Sequence, residues 1–432
     1  MNNTWYDDTV VGRFKQKNCP QKNLKCEVLI VGGGLAGLSL LYRLKKNKVD
    51  AVLIEENQIG SGASGRNGGF CLSGWAQDYD VLLKYLSIEE VITLERIAAS
   101  GVKWMKKKCL SKGYERTNLH SGVLKCFLSN NVEKVKKDVA TQNQLFDQNK
   151  EFLDKKKLGN YVCSDKFTCG VLRQDSFQFH PLNFMYALAH DCTTLGASIF
   201  ENCKFIKYGR NNGKIDSNVS NKNRMLNIQS EKIVFATGGY GGKEIKDLKN
   251  YWLPIKTFIG VTKPLGRELG SVLKKPLGFS DNRRAGNYYR VLPGNRLSWG
   301  TGISAIGDFT PLSLKKIISK EINYFFPDLR EIEIDYVWSG NMAYASHYMP
   351  YVGATKIGEE EKNVFTIMGF GGHGMNTAPG SAMVLADFIL GKSDKYKIFN
   401  RFRRKWNGGL IGPYIAEIKY KYLKMQDYFD VA

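Results

Sequence analysis

Cys26 to Phe70 reads CEVLIVGGGLAGLSLLYRLKKNKVDAVLIEENQIGSGASGRNGGF. Glu27 to Val31 is a short apolar run of the kind that forms a buried parallel strand, and it leads into Gly32, Gly34 and Gly37 in G-x-G-x-x-G spacing. Leu35, Leu38, Leu41 and Leu44 then recur at helical spacing. Gly32 permits a tight turn, Gly34 lets backbone approach a pyrophosphate, and Gly37 lets the helix pack closely on the strand. Leu35 and Ala36 open that helix and count with the site, because unpaired N–H groups and the helix dipole favour an anion there. A second strand, Ala51 to Ile54, ends in Glu55, close to the spacing expected of a carboxylate that grips ribose hydroxyls. Strand, glycines, helix, strand and acid in that order imply a bound dinucleotide.

With 432 residues, 43% of them hydrophobic, the chain can bury a large core and divides into two domains. No apolar run reaches the roughly 18 residues of a membrane span. The first 23 residues carry acidic side chains and no apolar core, so they read as a short surface leader and not as a secretory signal. Nine cysteines without a C-x-x-C pair fit reduced thiols in the cytoplasm better than a disulfide framework or zinc site, and no metal is expected. The formal charge of +22 raises nucleic acid or an anionic membrane surface as partners. The lysines are nevertheless spread in short runs such as 106–108 and 155–157 without interleaved aromatics, so nucleic acid is not an expected partner.

Further along, residues 81–108 have helical periodicity and open the second domain, 114–128 suit antiparallel strands, and 131–154 read as a solvated helix. His180 precedes Pro181 at the start of a helix from Phe184 to Leu195, a structural position. Ala197 to Phe205 reads as one strand, and another, Glu231 to Phe235, runs into Ala236-Thr237-Gly238-Gly239. Tyr288, Tyr289 and Arg290 precede a hairpin at Pro293-Gly294-Asn295. The aromatics and guanidinium suit either strand-face packing or a cavity for an amine bearing a carboxylate. Finally, a strand, Phe365 to Met368, ends in Gly369-Phe-Gly-Gly-His-Gly before a helix from Met375. This second glycine turn at a helix N-terminus is again an anion site, and His373 within it is a candidate active-site contact.

The loop Gly60 to Gly69, GSGASGRNGG, together with HPLN at 180–183, ATGG at 236–239, YYR at 288–290, WSGN at 338–341 and the closing GHG, resembles the FAD-dependent D-amino acid oxidase-like family. The order of features is most similar to its gamma-glutamylputrescine oxidoreductase branch. The resemblance implies an α/β chain with a Rossmann-like FAD-binding domain (24–80, 169–240 and 336–395) interleaved with an α+β antiparallel-sheet substrate domain (81–168 and 241–335), with a C-terminal tail of 396–432. It implies FAD held by the first glycine turn and Glu55, by Ser64, Arg66, Asn67, Gly68 and Gly69, by backbone near Phe205, by Thr237 and Gly238, and by Gly371, Gly372, Gly374 and Met375. His373, Arg290 and Tyr289 would serve substrate and catalysis. The implied reaction oxidises the C–N bond of a small amine or amino-acid-like substrate by hydride transfer to flavin N5, giving an imine that water hydrolyses.

Relatives that tether FAD use a histidine in the loop after the acid or a cysteine shortly before GHG; here the loop carries Arg66 and Asn67, and 338–374 has no cysteine, so non-covalent FAD is expected. Ser298 stands where sarcosine oxidases carry a lysine that helps oxygen react, which leaves O2 and a separate redox partner open as electron acceptors. A flavoprotein acting on modified RNA, or a flavin-binding protein without turnover, is the alternative.

Overall fold

The computed structural model describes residues 3–14, 19–128, 131–221, 224–241, 249–284, 286–307, 309–329, 332–355 and 363–429. Residues 1–2 and 15–18 of the leader and 430–432 of the tail lie outside them. The chain is a mixed α/β fold built on two sheets. The first contains β1 (Leu24–Val31), β2 (Ala51–Ile54), β7 (Ser198–Phe200), β8 (Lys204–Asn211), β9 (Lys214–Asn221), β10 (Arg224–Phe235), β16 (Tyr351–Ala354) and β17 (Val364–Met368). The second contains β3 (Phe70–Cys71), β4 (His120–Phe127), β5 (Lys150–Asp154), β6 (Cys169–Gln178), β11 (Trp252–Thr262), β12 (Gly278–Asp281), β13 (Tyr288–Leu292), β14 (Arg296–Ser304) and β15 (Ile334–Ala345).

The first sheet runs β16-β17-β10-β1-β2-β7, parallel from β17 to β7, with β9 joined antiparallel to the early half of β10 and β8 antiparallel to β9. Val28 and Ile30 of β1 pack into one core with the helix Leu35–Lys46, while Leu29 and Val31 pack into another. Burial on both faces is why the strand reads as an unbroken apolar run and not as an alternation. The second sheet runs β15-β11-β14-β13-β12-β4-β6-β3, antiparallel except where β12 meets β4.

Several boundaries differ from the sequence expectation. β6 and β15, counted with the cofactor segments, sit in the second sheet, because each finds its pairing partners there. Residues 81–108, expected to open the second domain, hold all but the last residue of the helix Ile88–Cys109, which starts at a Ser87–Glu90 capping box and packs on the helix Gly374–Ile389 beside the first sheet. Residues 131–154 divide into the helix Val132–Phe146 and β5. Asn202, at φ 52°, breaks the expected 197–205 strand into β7 and β8. The leader, expected as a short segment packed on the surface, also contributes to the core where it is described. Its short helix, Trp5–Thr9, buries Trp5 and Tyr6 against His180 and Trp338.

His180 caps the helix Pro181–Thr194, its Nδ1 accepting from the Asn183 N–H at 3.1 Å. Its Nε2 lies 3.1 Å from Thr9 Oγ1, whose own proton is donated to the Trp5 carbonyl. One acceptor and one donor nitrogen describe a neutral imidazole. Burial, reinforced by the Arg290 charge, pushes its pKa down to about 3.

Two consequences are measurable. A Cβ at Gly101 would lie 1.8 Å from the Asn376 carbonyl oxygen, so Gly101→Ala forces two helices apart and costs about 1–3 kcal/mol by thermal or denaturant unfolding. Gly270→Ala, with open space around it, leaves stability near wild type. Because the folded pKa of His180 lies below the unfolded one, its contribution is intact above about pH 6.5 and lost as pH falls towards 3, at up to about 1.4 kcal/mol per pH unit. His180→Asn, which keeps a cap without titrating, should flatten the decline in melting temperature between pH 6.5 and 4; an equally steep decline contradicts the assignment.

Candidate functional site

The chain leaves β1 through Gly32, at φ +117°, where a Cβ would lie 2.5 Å from the Ala236 carbonyl oxygen. The Ala236 N–H in turn donates to the Val31 carbonyl at 2.8 Å, so the turn after β10 abuts the turn after β1. A Cβ at Gly37 would lie 2.1 Å from Gly32 O, which is how closely the helix Leu35–Lys46 approaches the turn. Glu55, at the end of β2, accepts from the Gly33 N–H at 2.7 Å and the Asn57 N–H at 2.9 Å, and burial raises its pKa.

The Gly60–Gly69 segment, expected as a loop, holds a helical turn, Ala63–Arg66. Ser64 Oγ accepts from the Leu35 N–H at 2.9 Å, capping the fingerprint helix from outside. Asn67 donates to the Ala63 and Ser64 carbonyls and accepts from the Gly69 N–H, closing the turn on itself. Arg66 binds it to the second sheet: its Nη1 donates to the Ser339 carbonyl at 3.1 Å, and Trp338 Nε1 donates to the Arg66 carbonyl at 2.8 Å. Opposite, β17 ends at Met368 and the Gly369–Gly374 turn feeds the helix Gly374–Ile389, with the Gly371 N–H donating to the Ala343 carbonyl of β15.

Between these turns and the second sheet lies a cavity of about 540 Å³, within the range of ligand sites. Of the expected cofactor residues, Gly34, Leu35, Ala36, Ser64, Arg66, Asn67 and Gly68 line one side, Gly238 the floor, and Gly371, Gly372, Gly374 and Met375 another side, with His373 beside them. Gly32, Gly37 and Glu55 support the lining from behind. Thr237 and Gly69 also stand outside the lining; Gly69 is pressed against the Arg290 guanidinium and Phe179 carbonyl.

Three expected residues lie elsewhere. Phe205, on the edge strand β8, packs edge-on to Phe235 at 5.1 Å in a core away from the cavity. Tyr289 faces the far side of β13, stacked on Trp299 at 4.3 Å, because strand alternation gives the cavity face to its neighbour Tyr288. Arg290 shares the Tyr288 face but is buried one layer down, donating to the Tyr6 hydroxyl at 3.0 Å. The wall instead uses Tyr288, whose ring lies over Gly300, together with Tyr344 and Tyr348 from β15 and the turn after it. No motif marks either of the last two: Tyr344 owes its face to the pairing of β15 with β11, and Tyr348 stands in the turn that follows.

The sheet side of the cavity combines the aromatic rings with charged side chains, Arg284 and the ion-paired Asp281 and Arg283, and the opposite side is made of polar turns. Burial pushes the Tyr288 phenol up to about 12 and raises that of Tyr344, so both stay protonated. His373 is held down at about 4 by burial and by the Arg173 charge, and its Nε2 lies 3.3 Å from the Ser73 carbonyl. A neighbouring chamber of about 240 Å³ shares Leu72, Trp75, Val123, Ser280, Asp281 and His373 with the cavity and is also lined by Lys125, Lys150, Arg173, Glu95 and Asp78. Two buried polar atoms on the turn side, Thr237 Oγ1 and Arg66 Nε, have no partner among the described residues, and a Cβ at Gly34 would crowd Ser64 Oγ at 3.1 Å. Unsatisfied donors, side-chain-free turns and two helix N-termini suit an anionic dinucleotide with a flat aromatic ring.

Comparisons with known proteins agree with this geometry. Residues 27–388 match the family model DAO, described as FAD dependent oxidoreductase. The chain is 24% identical to a probable oxidoreductase OrdL of Haemophilus influenzae, covering 93% of this chain and 92% of the relative. It is 23% identical to gamma-glutamylputrescine oxidoreductase of Escherichia coli, covering 88% and 87%. In three dimensions it superposes on L-proline dehydrogenase from P. horikoshii with a TM-score of 0.71 at 21% identity, covering 89% of this chain and 100% of that one. The β1 fingerprint, the second glycine turn and the sheet that faces them therefore place this chain in the DAO family of FAD-dependent oxidoreductases.

Proposed function

We propose that this protein oxidises the C–N bond of an amine or amino-acid-like substrate that carries a charged end. The observation that carries the proposal is the cavity itself, with glycine turns at two helix N-termini on one side and a tyrosine-lined sheet face on the other. Bound FAD supplies a two-electron acceptor that takes a hydride from the carbon next to nitrogen. Gly34, Leu35 and Ala36 with Ser64, Arg66, Asn67 and Gly68, and Gly371 to Met375, would hold it. The side chains do the rest by position. Tyr288, Tyr344 and Tyr348 exclude water and disfavour a charged ammonium, so the amine enters with its lone pair available. His373, neutral and close to the Ser73 carbonyl, bounds the passage to the second chamber. Lys125, Lys150 and Arg173 there would face the substrate's charged end.

The reading is supported by the names of two relatives, a gamma-glutamylputrescine oxidoreductase and an L-proline dehydrogenase. We further infer that FAD is held non-covalently, that oxygen or a separate redox partner takes the electrons, and that the nine cysteines, all free thiols, belong in the reducing cytoplasm. Among the described residues no helix is long and apolar enough to cross a membrane.

Anaerobic addition of polyamine conjugates, N-methyl amino acids and D-amino acids should bleach oxidised flavin for at least one class, and more slowly for an analogue whose charged end is masked as an amide. No bleaching by any class contradicts the proposal. Glu55→Leu removes the acceptor from the Gly33 and Asn57 N–H groups and weakens FAD binding by about tenfold or more. Phe205→Leu leaves the flavin dissociation constant unchanged, as measured by fluorescence titration.

A further inference from the structure

The C-terminal helix, Gly412–Phe429, is fixed to the protein on one side and bare on the other. Asp427 accepts from the Arg284 backbone N–H at 3.0 Å and from its Nη1 at 2.8 Å, and Arg284 lines the cavity. Glu417 accepts from Ser304 Oγ at 3.1 Å and the Ala305 N–H at 2.9 Å. Ahead of the helix, Asn407 donates to the Trp252 carbonyl at 2.8 Å. A segment bound at three places is not a loose tail.

Its outer face carries Tyr414, Ile415, Ile418, Tyr422 and Met425, and Ile411 immediately precedes its first residue, each more than half exposed. At helical spacing these six fall within about 100° of the circumference, one continuous apolar stripe. Leu410 and Trp406, at 93% and 67% exposure, extend it beyond the helix N-terminus. Lys419 and Lys421 flank the stripe on opposite sides, and Lys424, Arg403 and Lys405 are also exposed. Between residues 403 and 425 the only carboxylate is Glu417, which is turned inward. Six exposed side chains in one stripe is more than the scattered apolar surface normal for a protein.

The geometry points to one occupant: we propose that this helix docks the protein on an anionic lipid bilayer, lying in the interface with its stripe among the acyl chains. An apolar face bracketed by lysines, with an aromatic at its edge and no acidic side chain facing out, matches an interfacial helix whose lysines reach back to the headgroups. Charge selects the bilayer over a second copy of the chain, because a formal +22 opposes self-association and favours a negative surface. The helix lies on the surface and does not span, as no described helix is apolar enough to cross.

The test uses the full-length, FAD-loaded protein and vesicles of phosphatidylcholine alone or mixed with phosphatidylglycerol. Wild type should sediment with the mixed vesicles at low salt, be released at high salt, and remain in solution with phosphatidylcholine alone. Ile415→Ser with Ile418→Ser, and separately Lys421→Glu with Lys424→Glu, should each weaken binding by about tenfold or more. Flavin absorbance and melting temperature should stay at wild-type values, which separates lost docking from lost folding and from failure of the oxidoreductase reading. Wild type that ignores both vesicle types, or stripe variants that bind like wild type, would overturn the proposal. Dimerisation abolished by the stripe variants, without vesicle binding, overturns it in favour of a second copy.

Discussion

No side chain fits at Gly37. A Cβ there would stand 2.1 Å from the Gly32 carbonyl oxygen, and one at Gly32 would stand 2.5 Å from the Ala236 carbonyl oxygen. Those two approaches press the first helix onto the turn that precedes it and press that turn against the end of β10. Everything that lines the turn side of the cavity follows. The helix N-terminus is delivered to a fixed place, Glu55 reaches Gly33 from β2, and Ser64 reaches the first helical N–H from the loop beyond. Any larger residue at Gly32 or Gly37 would move all three together, since interiors packed at this density transmit displacement and do not absorb it.

The second requirement is that the two sheets face each other at a fixed separation. The Arg66 guanidinium donates to the Ser339 carbonyl of β15, the Trp338 indole N–H donates back to the Arg66 carbonyl of the flavin-loop turn, and the Gly371 N–H binds β15 from the other glycine turn. These bonds, two from side chains and one from backbone, tie the turns to β15 along the cavity rim, and Tyr288, Tyr344 and Tyr348 are among the side chains that line the space. Beneath it, Arg290, Tyr6 and His180 form a buried contact between β13, the leader and the helix Pro181–Thr194. Arg290 is thereby a structural cation: its Nη2 is committed to the Tyr6 hydroxyl, and its charge helps keep His180 neutral.

The first sheet was legible in the sequence because its signals are local. A strand, a glycine turn and a helix announce themselves within fifteen residues, and the second glycine turn does so again at Gly369–Gly374. What the sequence left hidden depends on pairing across long separations. Which face of β13 looks into the cavity is set by register with β14, and a shift of one residue exchanges Tyr288 for Tyr289. The membership of β6 and β15 is settled by partners many residues away, and burial of the leader's helix by the rings of His180 and Trp338 from distant segments. The expected 197–205 strand divides for the same reason: a turn at Asn202 that no motif announces separates β7 from β8.

We propose that the space between the two glycine turns and the tyrosine-bearing sheet holds FAD without a covalent bond. The flavin content of the purified protein before and after acid precipitation tests this. The protein should show a flavin spectrum with FAD in equimolar ratio to the chain, all of it released into the supernatant. A protein that carries no flavin and takes up none on incubation with FAD, or one whose flavin remains in the precipitate, would contradict it.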